Sequence, residues 1–192
     1  MRPAYRLLTR WWTAFAALAA LAMLGGAHAF ERFGGLDPCP LCLRQREVFW
    51  AALAVAVPAT LWTVFSRATR GTPRVGAFML FVVFATSAIT AGFHAGGEMG
   101  WWALPASCQA GGELADIAAL QALANGTAPP PEFPNCGEVA WSLGGISMAG
   151  WNALISAALA IFSVLAAKRP KDARAPHEPL VVATEPRPET AR

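Results

Sequence analysis

Four stretches of this chain carry no Asp, Glu, Lys or Arg: Trp11 to Phe30, Val48 to Phe65, Val75 to Phe93 and Ser147 to Ala167, of 20, 18, 19 and 21 residues. A bilayer core about 30 Å thick is crossed by roughly 20 helical residues at about 1.5 Å each. Lipid offers the backbone no water, so a spanning segment must satisfy its own polar groups as a helix or in a closed barrel. Runs this continuous lack the alternation of barrel strands. The predicted fold is an all-α membrane protein, a four-transmembrane-helix bundle with spans at about 11–30, 48–65, 75–93 and 147–167. Composition agrees: 55% of residues are hydrophobic and 14% charged, against about 25% charged in a soluble domain. That excludes a disordered chain, a coiled coil and a nucleic-acid module. A net charge of +3 is too small to imply a polyanionic partner.

The charges orient the bundle. Arg2, Arg6 and Arg10 precede the first run, and Arg67, Arg70 and Arg74 fall between the second and third. Lys168, Arg169, Lys171 and Arg174 follow the fourth. Segment 94–146 has five acids and no Lys or Arg, and segment 31–47 is balanced at three of each sign. The positive-inside rule puts both termini and the 66–74 linker in the cytoplasm, and the two cysteine-bearing loops outside. Trp11 and Trp12 suit an interfacial belt at the end of a retained first helix. The same stretch, with Ala27-His28-Ala29, also has the form of a cleavable signal peptide, which would leave the other three helices oriented as before.

Residues 1–167 form the membrane domain, and the Pro-, Glu-, Arg- and Ala-rich segment 168–192 reads as a disordered cytoplasmic tail. Within the second outer loop, Glu113 to Leu123 reads as a short amphipathic helix, with Leu114 and Ile117 at helical spacing, lying on the membrane surface. Asn125-Gly126 and Pro129-Pro130-Pro131 then break regular structure.

Cys39, Cys42, Cys108 and Cys136 all fall in the outer loops. An exported side is where disulfides persist, so two structural bridges are one reading, and three pairings are open. A four-sulfur metal site is another, although the second pair is 28 residues apart with no histidine close to it in sequence. The spacing of Cys39-Pro40-Leu41-Cys42 favours a third. A bridge over two residues closes a tiny loop and is a poor staple. At a helix N-terminus it is a good redox centre, because that position favours the thiolate. Pro38 or Pro40 suits the first helical turn. The reading taken is redox, with no metal.

Arg46 lies one helical turn beyond Cys42. It can stabilise a Cys42 thiolate and hydrogen-bond an acceptor carbonyl, or serve as an interfacial charge paired with Glu47 or another loop acid. Arg44 points off the Cys42 face and reads as surface. His94 and Glu98 share a face at the outer end of the third helix, as a polar pair facing a small-molecule site or as a structural hydrogen bond between helices. Gly92, Gly96 and Gly97 permit close helix approach there. Trp101, Trp102 and Trp141 read as interfacial anchors first and pocket walls second.

Asp37-Pro38-Cys39-Pro40-Leu41-Cys42-Leu43-Arg44-Gln45-Arg46, on four helices with a cysteine pair in the second outer loop, resembles the DsbB family of bacterial inner-membrane disulfide bond formation proteins. The segments His94-Ala95-Gly96-Gly97-Glu98 and Gly145-Ile146-Ser147-Met148-Ala149 look like one subgroup of it. The resemblance covers roughly residues 10–167. It implies a multi-pass enzyme that reoxidises a DsbA-like periplasmic thiol oxidase and passes the electrons to ubiquinone or menaquinone, the system that keeps the periplasm oxidising. It implies that Cys39, Cys42, Cys108 and Cys136 are the redox positions and that Arg46 is the quinone-site arginine. In family terms the partner attacks Cys108, Cys136 is released and attacks Cys39, and Cys42 is freed beside the quinone. Two alternatives stay open: a non-enzymatic four-helix membrane scaffold whose stapled loops bind a partner, and a quinone-linked thiol oxidase with a dedicated substrate.

Overall fold

The computed structural model describes residues 3–65, 72–105, 108, 121, 124–126 and 134–168. The expected amphipathic helix at 113–123, all but Gln121 of it, and the expected tail beyond Lys168 lie outside those residues. The elements are α1 (Pro3–Arg10), α2 (Trp12–Gly34), α3 (Pro40–Phe65), α4 (Arg74–Glu98), β1 (Ser142–Leu143), β2 (Ile146–Ser147) and α5 (Met148–Ala167). Four of them, α2 to α5, are long and apolar enough to cross a membrane, and the protein is a multi-pass membrane protein.

Three of these helices run past the charge-free stretches at the cysteine end. α2 continues to Gly34 rather than Phe30, α3 begins at Pro40 rather than near Val48, and α4 continues to Glu98 rather than Phe93. Absence of charge marks what lipid tolerates; a helical backbone has no reason to stop there. The polar residues of these extra turns pair with one another, Arg46 with Glu31 and His94 with Glu98. α2 stops where Gly35 turns left-handed at φ 63° and its N–H caps the Phe30 carbonyl, a conformation glycine adopts without a Cβ penalty. α3 opens with Pro40, whose missing N–H would have had no helical partner in the first turn.

α4 packs most extensively on α5, α2 on α3, and α3 on α4, while α2 and α5 touch little. Ala16, Ala20, Ala52, Ala56, Ala77 and Ala160 are buried in the core around Phe49, Leu80 and Phe84. Small residues let helices approach closely where lipid supplies no hydrophobic drive between them. At the end away from the cysteines, Thr72 N–H and Oγ1 both bond the Arg10 carbonyl, at 2.9 and 3.1 Å. Trp12 is not the interfacial anchor its position suggested. It is buried, and its indole N–H donates to Ser163 Oγ at 2.9 Å. That bond, with the Trp12 ring 5.7 Å from Phe162, ties α2 to α5. At the cysteine end β1 and β2 form a minimal antiparallel hairpin, Ser142 opposite Ser147 and Leu143 opposite Ile146. Gly144 and Gly145 turn it with φ 62° and 78°, as a two-residue primed turn requires. Ser147 then caps α5 by accepting from Gly150 N–H at 3.1 Å.

Candidate functional site

Cys39 sits immediately before α3. Its carbonyl accepts from Leu43 N–H at 3.1 Å, and its sulfur accepts from Cys42 N–H at 3.3 Å. One helical turn therefore brings the two sulfurs together, 2.8 Å apart. The hydrogen bond to Cys42 and then burial hold the Cys39 thiol far above its ordinary pKa, because two thiols in contact cannot both ionise. Cys39 keeps its proton and faces Cys42 with it.

The second loop comes back onto this dithiol. Cys108 and Cys136 are buried in one cluster with Cys39 and Leu104, with Cys42 packed against it. Cys136 N–H donates to the Cys108 carbonyl at 3.3 Å. The glycines of α4 make the return possible. A Cβ on Gly96 would penetrate the Trp102 ring, and one on Gly97 would penetrate the Leu104 side chain. They admit a loop folding back over the helix end, where close approach of a second helix was expected; Gly92 has nothing near its Cβ position. Trp102 is held in place by stacking on Phe93, with centroids 5.6 Å apart, and by donating to the Phe93 carbonyl at 3.0 Å.

His94 joins the two cysteine pairs. Its Nε2 lies 3.1 Å from the Cys136 carbonyl and 3.7 Å from Cys39 Sγ. The Cys136 carbonyl, which can only accept, and a buried polar chain on the other side of the ring together say which nitrogen carries the proton. Asn152 on α5 accepts from Ser156 at 3.0 Å and donates to Gln45 Oε1 at 2.5 Å. Gln45 can then offer only its N–H to His94 Nδ1, 2.9 Å away. Nδ1 is the acceptor, so the proton of neutral His94 is on Nε2 and donates to the Cys136 carbonyl. The chain ends at Ser87, 2.9 Å from Ser156. It links α3, α4 and α5, and every member is buried. Glu98 also faces Nε2, at 3.8 Å, with His94 and Glu98 side chains only 4% and 6% exposed. Its Oε2 has no partner among the described residues.

A cavity of about 470 Å³ opens where α2 and α5 diverge. Its walls are mainly apolar, with Met23, Phe30, Phe49, Trp141 and Ile155 among them; Cys42, Gln45, Arg46, His94, Glu98 and Asn152 supply polar groups. Phe30 packs against Trp141 at 5.0 Å, so Trp141 is a wall, whereas Trp101 stays largely exposed. Arg46 reaches the cavity with its side chain 14% exposed, paired to the Glu31 carboxylate and donating to the Ala27 carbonyl at 3.2 Å. Glu47 pairs instead with Arg44 at 3.1 Å, both 63% exposed, an ion pair of little energetic consequence.

The seven residues singled out from sequence thus lie at one end of the bundle. Those missed are Glu31, Gln45, Asn152, Ser87 and Ser156. Asn152 carried a signal, as the one amide within the fourth apolar run, since polar side chains in a span seek partners across helices. Gln45 lay hidden among charged neighbours in Leu43-Arg44-Gln45-Arg46-Glu47.

The family model described as disulfide bond formation protein DsbB matches residues 9–166. Disulfide bond formation protein B of Aromatoleum aromaticum is 28% identical over 79% of this chain and 86% of its own length. The protein of that name from Marinobacter nauticus is 29% identical over 86% and 98%, and that from Methylococcus capsulatus 30% over 77% and 87%. No solved structure matches the chain significantly. The matched region takes in the four spans, both cysteine pairs and the cavity that Cys39 and Cys42 border, and the chain belongs to the DsbB family of disulfide bond formation proteins.

Proposed function

We propose that this protein is a disulfide-generating thiol:quinone oxidoreductase of the bacterial inner membrane. It reoxidises a DsbA-like periplasmic dithiol oxidase and passes two electrons to ubiquinone or menaquinone. The observation that carries the reading is the meeting of both cysteine pairs in one buried cluster whose Cys42 borders an apolar cavity. A disulfide staple has no use for a neighbouring pair or for a cavity.

In this reading both termini are cytoplasmic and the cysteine end is periplasmic, as the arginine distribution favours. A partner thiolate attacks Cys108 of a Cys108–Cys136 disulfide and forms a mixed disulfide, and Cys136 leaves as a thiolate. The partner's second thiol then attacks its own cysteine in that mixed bond, so the partner departs oxidised and Cys108 is released. Cys136 attacks Cys39 of a Cys39–Cys42 disulfide, and Cys42 leaves as a thiolate at the cavity wall. Closure of the new Cys108–Cys136 bond frees Cys39. Electrons move as pairs at every step, and each attack requires an accessible sulfur and a thiolate.

A membrane quinone would supply the two-electron, two-proton acceptor. The residues fit such a group. The cavity lies within the usual range of about 300–1,000 Å³ for a small-molecule site, its walls suit a ring and an isoprenoid tail, and Arg46 offers a planar donor fork to a carbonyl. His94, held with Nε2–H toward Cys136 and Cys39, positions the loop and can hold a proton as the Cys39 sulfur changes partner. Arg46 balances negative charge on Cys42.

The test combines purified protein, a quinone and a reduced DsbA-like protein, with quinone absorbance as the readout. Turnover is expected in the wild type and loss of it with Ser at any of the four cysteines. Wild-type levels of quinone reduction in Cys39→Ser or Cys42→Ser would instead make the protein a scaffold.

A further inference from the structure

We propose that the reduced Cys39–Cys42 pair and His94 form a binding site for one thiophilic divalent cation of the zinc class. One donor atom from each of the three lies within 4.8 Å of the others. They come from the start of α3 and the end of α4, so the set exists only in the folded bundle.

The geometry can be compared with a tetrahedral site. With Zn–S of about 2.3 Å and Zn–N of about 2.05 Å, a sulfur and a nitrogen on one cation stand about 3.6 Å apart and two sulfurs about 3.8 Å apart. Cys39 Sγ to His94 Nε2 is 3.7 Å, already at that spacing. The two sulfurs, at 2.8 Å, must open by about 1 Å, a small χ1 rotation for Cys42 at the cavity edge. Glu98 lies on the His94 side of this set. Its Oε1 is 3.8 Å from Nε2, and Oε2 has no partner among the described residues, in a side chain 94% buried. An unpaired buried carboxylate oxygen on the residue that faces this imidazole favours positive charge nearby.

The surroundings of His94 suit ligation. A metal-bound histidine donates its other ring N–H to a fixed acceptor. With Nε2 on a cation, Nδ1 carries the proton and needs an acceptor, which is Gln45 Oε1 after the amide turns over. Gln45 then donates to Asn152 Oδ1, Asn152 donates to Ser156, and Ser156 donates to Ser87. Each link is an amide or hydroxyl, so the chain itself can reverse; the cost is the Nε2–H bond to the Cys136 carbonyl, which ligation gives up. Binding releases the two thiol protons, leaving a cation held by two thiolates and one imidazole with a fourth position for water or a turned Glu98 carboxylate, and with Arg46 lining the same cavity. On the relay reading, occupancy would take both sulfurs out of exchange and hold the reduced protein inactive.

The test uses the full chain in detergent micelles, reduced anaerobically with a phosphine, freed of it and titrated with Co²⁺ alone. One Co²⁺ per chain is expected, with a thiolate-to-cobalt charge-transfer band and the intense visible bands of tetrahedral coordination, displaced by Zn²⁺. Cys39→Ser and Cys42→Ser should abolish the band, Cys136→Ser should keep it, and Gln45→Ala should weaken binding by about 10–100-fold. X-ray absorption of the zinc-loaded wild type should give two sulfurs and two lighter ligands, a result that needs no variant to fold. Four sulfurs, loss of binding in Cys136→Ser, or no binding by the reduced wild type would overturn the site. Quinone reduction is measured separately on the metal-free protein, so failure of the relay leaves the cation titration to be judged by itself.

Discussion

Replacing Asn152 by Leu tests whether the polar chain through the bundle governs His94. Asn152 donates to Gln45 Oε1 and accepts from Ser156. Leu has similar bulk and neither group. Ser156 retains Ser87, so its loss is small. Gln45 Oε1 is left buried without a donor, a cost of about 1–3 kcal/mol in a water-soluble core. In a membrane the unfolded reference finds partners too, and interhelical hydrogen bonds average about 0.6 kcal/mol with a ceiling near 1.7. The expected destabilisation is therefore about 1–2 kcal/mol, read from reversible SDS unfolding in mixed micelles by tryptophan fluorescence. A cycle with Gln45→Leu should give a coupling of roughly 0.6–1.7 kcal/mol. The decisive readout is the imidazole. ¹⁵N NMR should find His94 as the Nε2–H tautomer in the wild type and a mixture of tautomers in Asn152→Leu, because a freed Gln45 amide can present either end to Nδ1. Additive single effects together with an unchanged tautomer would refute the reasoning.

Arg46→Ala should impair quinone reduction far more than exchange with the partner, with Arg46→Lys restoring only part, since a point charge lacks the planar fork; equal quinone kinetics in wild type and Arg46→Ala would reduce Arg46 to a partner for Glu31. In the reduced protein at neutral pH, iodoacetamide should modify Cys42 at least about tenfold faster than Cys39, whose thiol is buried and held protonated by its neighbour; mass spectrometry of early time points decides it, and faster modification of Cys39 would reverse the proton assignment. Gly97→Ala should displace Leu104 and loosen the returning loop, costing about 1–3 kcal/mol as overpacking does and raising the labelling rate of the Cys108–Cys136 region; unaltered stability and labelling would show that the loop does not rest on α4. With Cys136→Ser, a partner retaining only its attacking cysteine should form a reducible adduct through Cys108 on a non-reducing gel, and adduct through Cys136 in Cys108→Ser would reverse the order of transfer in that loop.

Four spans were legible in the sequence because lipid acts on composition alone. A run of about 20 residues without charge needs no knowledge of its neighbours to be recognised. The dithiol was legible for a similar reason, since two cysteines three residues apart meet within one helical turn whatever surrounds them. Arg46 on the Cys42 side and His94 beside Glu98 followed from the same period. These are all relations within one helix. Where each helix ends was less so, because Arg46 pairing across to Glu31 lets α2 and α3, and His94 facing Glu98 within its own helix lets α4, continue past the charge-free stretches.

Relations between helices were decided by the tertiary structure. Arg46 met Glu31, fifteen residues earlier on another helix, while its neighbour Glu47 turned outward to Arg44. Trp12 went inside, where its ring packs on Phe162 and its N–H finds Ser163, both on α5. The glycines of α4 made room for a loop, and that loop carried Cys108 and Cys136 to the dithiol. Gln45, Asn152, Ser156 and Ser87 lie on three separate helices, and each was one polar residue among many until packing buried it. A hydrogen bond is short and directional, so its partner is known only once the backbones that hold both ends are in place.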